Sequence, residues 1–261
     1  MSHKPLVLVT NDDGIDSPGL HALIDELVDG FELIVAAPRA DMSGSGTGIG
    51  RFDVSEGVEL TPIDIRQGMR SFSIDGPPGL AVTAAALGAF GDMPDLVMSG
   101  INAGMNTGHS IIHSGTVGAA LTARTFGMRG IALSLSQSDP WYWETAAHFA
   151  PALVHWLLDR QEPRVLNVNV PGVPIDEVAG ARWADLDDFG YIRVATADVE
   201  DRRLQFVVRS SNERSDPGSD TVLCSENYVT LTPLRSVEPA PYPPVHADEV
   251  LGGHQLAESL S

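Results

Sequence analysis

The chain has 261 residues, 43% of them hydrophobic, which is enough for one large or two small packed domains and too apolar for a disordered chain. Acidic residues outnumber basic ones 35 to 16, and the formal charge of -19 excludes phosphate-backbone binding to a nucleic acid polymer as the main activity. Cys224 is the only cysteine, so no intrachain disulfide can form. The chain also lacks an apolar run of the ~20 residues needed to span a bilayer, and no signal-peptide core follows Met1, so the expected location is the cytoplasm, away from any membrane.

The first element is an apolar run, Val7-Leu8-Val9-Thr10, that stops at Asn11-Asp12-Asp13-Gly14. Pro18, Leu20, Leu23, Ile24 and Leu27 then recur at helical spacing, so a strand over residues 6–10 leads through a tight acidic turn into a helix over residues 20–28. A second apolar strand, residues 33–37, ends at Pro38. Both runs are continuous, as expected for a parallel sheet covered on both faces. The following segment, Ser43-Gly44-Ser45-Gly46-Thr47-Gly48-Ile49-Gly50, is rich in glycine and hydroxyls. It has neither a P-loop ending nor a dinucleotide fingerprint, and on its own it signals only a flexible loop.

Residues 51–75 read as short strands and turns, and Gly76-Pro77-Pro78-Gly79 as a turn into a helix over residues 80–90. A buried strand, Leu96-Val97-Met98, is expected to give way to an exposed loop over residues 99–108. Ser114-Gly115-Thr116 opens a helix that closes near Gly127. A strand over residues 131–135 and a helix running from Asp139-Pro140 through Phe149 to Leu157 follow. The strand over residues 165–170 alternates apolar residues with Asn167 and Asn169, giving it one polar face.

This order of elements predicts an α/β, Rossmann-like fold with a mostly parallel sheet and helices on both faces. Residues 1–172 form the expected α/β metal-binding catalytic core. After Gly172 the pattern turns β-rich without a helical period, so residues 173–236 are expected to be an extension that packs on its own subunit or reaches a partner. Residues 237–261, which include the proline-rich Pro239–Pro244 stretch, read as a weakly ordered tail.

Asp12 and Asp13 are the chemically unusual pair. Asp16 and Ser17 are better placed to cap the helix, and two further carboxylates in one turn repel each other unless a cation neutralises them. The other candidate donors, Ser43 and Asn102, also offer oxygen and follow other strands. Hard oxygen donors suit Mg²⁺, Mn²⁺ or Ca²⁺, and no Cys/His set for a structural zinc is present. His109 and His113 could equally be ligands, supporting groups or surface residues. The helix start at Ser114, Gly115 and Thr116 offers N–H groups and hydroxyls to an anion, and a divalent ion beside such a terminus is equipment for phosphoester hydrolysis.

These motifs resemble the SurE family, the survival protein E nucleotidases. The resemblance runs through residues 9–15 with Ser17-Pro18-Gly19, through Ser99-Gly100-Ile101-Asn102-Ala103-Gly104-Met105-Asn106, and through His113-Ser114-Gly115-Thr116-Val117. Fainter matches lie at residues 166–171, Gly218-Ser219-Asp220 and residues 228–234.

The resemblance implies a metal-dependent phosphatase of nucleoside monophosphates. Asp12, Asp13, Ser43 and Asn102 would be its metal ligands, and Asn11, Asn106, Ser114, Gly115 and Thr116 would be on the substrate side. It also implies a homodimer or homotetramer whose β-rich part exchanges between subunits. Asp12, nearer the strand end, is the residue expected to orient or deprotonate the attacking water. An aspartyl-phosphate route through Asp12 is a rival within enzymes, and no Gly-x-Ser-x-Gly elbow supports a serine nucleophile. The chain departs from the family pattern at Pro38-Arg39-Ala40-Asp41-Met42-Ser43 and at Gly76-Pro77-Pro78-Gly79-Leu80-Ala81. Those departures keep open the alternative of a member that binds nucleotide or metal without efficient turnover.

Overall fold

The computed structural model describes residues 4–51, 55–162, 164–188 and 216–238, together with the backbone of 192–200 and 203–210. Residues 239–261 of the expected tail, with the proline-rich Pro239–Pro244 stretch, lie outside the described residues. In chain order the elements are β1 (Leu6–Thr10), α1 (Pro18–Leu27), β2 (Glu32–Pro38), β3 (Leu60–Pro62), β4 (Arg70–Ile74), α2 (Pro78–Ala86), β5 (Leu96–Ala103) and α3 (Gly115–Thr125). They continue with β6 (Arg129–Leu135), α4 (Trp143–His148), α5 (Ala150–Leu158), β7 (Val165–Val170), β8 (Gly180–Trp183), β9 (Ile192–Glu200), β10 (Arg203–Ser210), α6 (Asp220–Ser225) and β11 (Tyr228–Leu234).

Among the described residues the main sheet has nine strands in the order β3-β4-β2-β1-β5-β6-β7-β11-β8. Strands β4, β2, β1, β5, β6 and β7 run parallel. Side chains alternate across this sheet. Val7 and Val9 face α1, α4 and α5, whereas Leu6 and Leu8 face α2 and α3. The chain leaves β1 towards β2 and β4, then returns to place β5 on the other side of β1. The carboxyl ends of β1 and β5 therefore flank the point where strand order reverses, the place where open α/β sheets bind ligands.

Three elements differ from the sequence expectation. The strand begun by Leu96 does not stop at Met98 but runs to Ala103, and its register against β6 skips Ile101 between Gly100 and Asn102. This bulge re-aims the strand end, and a glycine-rich run conceals it because such runs read as loops. The helix expected from Asp139 is two helices separated at Phe149. Pro151 near the start of α5 cannot donate to the preceding turn. The sheet continues past residue 172 within the same chain, one of the two expected placements of the β-rich extension, since β11 pairs antiparallel with β7 and parallel with β8. The six-residue α6, capped by Ser219, is too short to show a helical period in sequence. Among the described residues β9 and β10 pair only with each other, antiparallel.

Candidate active site

The acidic turn is built by its neighbours. Asn11 is fully buried, and its Nδ2 donates to the Gly14 carbonyl at 3.0 Å and to Ser17 Oγ at 2.7 Å, while its Oδ1 accepts from Gly14 N–H at 3.2 Å. Ser17 Oγ in turn accepts from Leu20 N–H and caps α1. Asn11 thus braces the turn with its whole amide, a different part from the substrate contact suggested by sequence. The turn is tied to β2 by Ile15 N–H donating to Pro38 O at 2.8 Å, and to the next loop by Met42 N–H donating to Asp12 O at 2.7 Å.

Asp12 is 2% exposed and meets the start of α3. The Thr116 hydroxyl donates to Asp12 Oδ1, with Asn102 Oδ1 at 3.3 Å as the other acceptor within its reach. Backbone N–H groups of Thr116 and Gly115 also serve the Asp12 carboxylate. Burial pushes its pKa up, and these donors oppose that shift. Gly115 makes the approach possible: a Cβ there would sit 2.7 Å from Asp12 Oδ2 and 2.5 Å from Ser45 Oγ. Ser114 Oγ accepts from Val117 N–H and acts as the helix cap. The Thr116 hydroxyl and the N–H groups of Gly115 and Thr116, expected from sequence to face a substrate anion, serve Asp12 here, while Ser114 Oγ accepts from the helix.

Asp13 is placed differently. Its pKa is raised to about 6, first by burial and then by the charge of Asp12, with Asp41 adding to the rise and the Ala103 backbone opposing it. Its Oδ2 is buried with no hydrogen-bond partner. An orphaned carboxylate oxygen beside a second carboxylate is what a cation would satisfy, so the residues present fit a divalent ion.

The two other expected ligands stand apart in burial. Asn102 is half-buried on the bulge of β5, its Nδ2 donating to Gly104 O at 2.7 Å. Ser43 is exposed, and its Oγ donates to Asp41 Oδ1 at 2.6 Å, which leaves the hydroxyl lone pairs available. His109 and His113 are exposed on a short turn of 3₁₀ helix. Among the described residues no group of three or more His, Cys, Asp or Glu gathers as a cation site, so a cation here would draw on neutral oxygens besides the two aspartates.

The polar face of β7 also finds its purpose. Asn167 and Asn169 each donate to Asn106 O at 2.9 Å, Asn169 Oδ1 accepts from Asn106 N–H at 2.8 Å, and Asn106 Nδ2 donates to Ser134 Oγ at 2.9 Å. Asn106 is clamped at the ligand edge by residues about sixty positions away, a pairing that local pattern cannot show. Behind it, Asp220 accepts from Gly108 N–H at 3.0 Å and Asp187 N–H at 3.1 Å. The only sequence signal for Asp220 is the Gly218-Ser219-Asp220 motif, which carries no spacing rule of its own.

A family model described as "Survival protein SurE" matches residues 7–192. The chain belongs to the SurE family. It is 34% identical over 234 residues to the 5'-nucleotidase SurE of Stutzerimonas stutzeri strain A1501, covering 88% of this chain and 91% of that protein. It is 35% identical, over the same shares, to the 5'-nucleotidase SurE of Pseudomonas putida strain W619. The crystal structure of the SurE protein from Aquifex aeolicus superposes with a TM-score of 0.75 at 29% identity, covering 88% of this chain and 93% of that one. The SurE motifs around residues 9–15, 99–106 and 113–117 come together here at the carboxyl edge of β1 and β5.

Proposed function

We propose that this chain is a divalent-metal-dependent phosphomonoesterase that converts a nucleoside monophosphate and water into the nucleoside and inorganic phosphate. Membership of the SurE family and the 5'-nucleotidase relatives support the hydrolase reading. The observation that carries the mechanism is the buried, unpartnered oxygen of Asp13 beside Asp12, which Thr116 and Gly115 hold in place.

Asp12, Asp13, Asn102 and Ser43 are the residues that would hold the ion. When bound, a divalent ion neutralises charge on the phosphoryl oxygens and acidifies a water. Asp12 is held in place by Thr116 and Gly115, so it serves as the fixed anion of the site. Asp13 keeps lone pairs free to orient the attacking water and to take its proton, a role that sequence alone assigned to Asp12. Water attacks phosphorus as Asp13 takes its proton, the ester P–O bond opposite it breaks, the nucleoside oxygen takes a proton from solvent and leaves as the alcohol, and Asp13 returns its proton to solvent. We further propose a homodimer or homotetramer. The exposed edge strand β8, with Trp183 57% exposed, is consistent with a covered face, and light scattering on the purified chain measures the assembly.

Phosphate release from a panel of nucleoside monophosphates with Mg²⁺ or Mn²⁺, against a chelator control, is the test. Chelator-sensitive release supports the reading. Tight nucleotide binding without release would instead support the binding-only alternative, and chelator-resistant release would remove the metal from the mechanism.

A further inference from the structure

Strand β7 carries two side chains that a core strand does not need. Asn167 and Asn169 are fully buried on the same face as Val165, and a buried amide costs free energy unless its polar atoms are bonded. Asn167 Oδ1 is buried without a hydrogen-bond partner, so at that atom the cost stands uncompensated. An apolar residue at either position would avoid it.

The two amides hold one residue. The Asn106 carbonyl accepts from both Asn167 Nδ2 and Asn169 Nδ2, and the Asn106 N–H donates to Asn169 Oδ1. Both backbone groups of Asn106 are therefore fixed by side chains of β7. The Asn106 amide is fixed in turn, since its Nδ2 donates to Ser134 Oγ, which is fully buried on β6. An asparagine amide has two N–H donors, and Ser134 takes one. Asn106 is half-buried, and among the described residues its Nδ2 has no second acceptor, so the other N–H is left for a ligand.

The same serine ties Asn106 to the rest of the site. Ser134 is opposite Asn102 in the register of β5 against β6, and opposite Asn169 in the register of β6 against β7. Asn102 Oδ1 and Asp12 Oδ1 are both within reach of the Thr116 hydroxyl. The free N–H of Asn106 is thus one strand away from a residue that would hold the ion.

We propose that Asn167 and Asn169 are positioning residues for phosphoester hydrolysis. They fix the backbone of Asn106, and Ser134 turns its amide, so that the free N–H donates to an oxygen of the substrate phosphate. Neither residue of β7 touches the substrate; each acts through Asn106. The inference rests on the phosphomonoesterase reading above, and phosphate binding tests it apart from turnover.

The test is a double-mutant cycle on the full chain with Mg²⁺, read as kcat/KM for a nucleoside monophosphate and as the calorimetric Kd of inorganic phosphate. Asn106→Ala and Asn169→Ala each lower kcat/KM by about 10–100-fold and weaken phosphate binding, while the metal-induced rise in Tm is kept. The variant carrying both substitutions falls no further than Asn106→Ala alone, because the clamp then has nothing to position. Asn167→Ala, which removes an oxygen already without a partner, carries the same cycle if Asn169→Ala does not fold. Losses that multiply in the double variant, or native kcat/KM and phosphate affinity in the Asn167 and Asn169 variants, overturn the positioning role. No release by the unmodified chain overturns the phosphomonoesterase reading instead, and the phosphate Kd values then decide the positioning role by the same rule.

Discussion

Asp13 and Asp220 are both aspartates withdrawn from water, and the protein treats them in opposite ways. Asp220 is fully buried, and the chain brings two backbone N–H groups to it, from Gly108 and Asp187, on segments far apart in sequence. Burial raises its pKa while those donors hold the rise down. Asp13 sits beside the charge of Asp12, is raised to about 6, and keeps an oxygen that no protein donor reaches. Where the carboxylate joins two segments, the fold supplies its donors. Where it faces the ligand edge, the fold leaves it incomplete, so that completion comes from outside.

Substitutions can pull this comparison apart. Asp12→Asn removes the fixed anion of the incomplete site, and phosphate release falls by roughly 10²–10⁴-fold; turnover at the native rate in that variant would refute the assignment. Gly115→Ala drives a methyl towards Asp12 Oδ2, and a shift of that carboxylate by about an ångström costs on the order of 10² in rate. Far-UV circular dichroism separates this loss from unfolding.

A divalent ion at about 100 times its Kd stabilises the folded chain by roughly 2.7 kcal/mol, read as a rise in Tm without any substrate. Asp13→Ala abolishes that rise, whereas an undiminished rise would place the ion elsewhere. Asp220→Ala strands two buried N–H groups and lowers unfolding stability by about 1–3 kcal/mol in guanidinium titrations, while leaving the ion-induced rise in place.

The smallest effect is on pH dependence. The folded pKa of Asp220 lies above its unfolded value near 3.8, so the stability linked to this group is fully present below that value. It is lost as pH rises through the folded pKa. Asp220→Asn therefore flattens the decline of unfolding stability with pH on the alkaline side of 3.8; an unaltered slope would show that Asp220 does not titrate in this range.

Much of this was legible from the residues. Apolar runs marked β1, β2 and β6, alternation of apolar residues with Asn167 and Asn169 marked β7, and the adjacency of Asp12 and Asp13 marked the ligand edge. Sequence could list donors at Gly115 and Thr116 but not choose their acceptor, because the partner, Asp12, lies about a hundred residues earlier. The clamp on Asn106 was hidden for the same reason, although the alternation of Asn167 and Asn169 hinted that one face of β7 had polar work to do. The bulge in β5 depends on register against β6, which no single strand encodes. Pro151 is a local signal for the break between α4 and α5 that the sequence expectation of a single helix passed over.

The seating of α3 has a consequence for how the molecule can change. Gly115 leaves no gap above Asp12, and one turn later a side chain at Gly118 would collide with the Gly46 carbonyl, so the helix is wedged against the loop beside it. The molecule therefore cannot gain a side chain at 115 or 118 without displacing the Asp12 carboxylate or the Gly46 backbone.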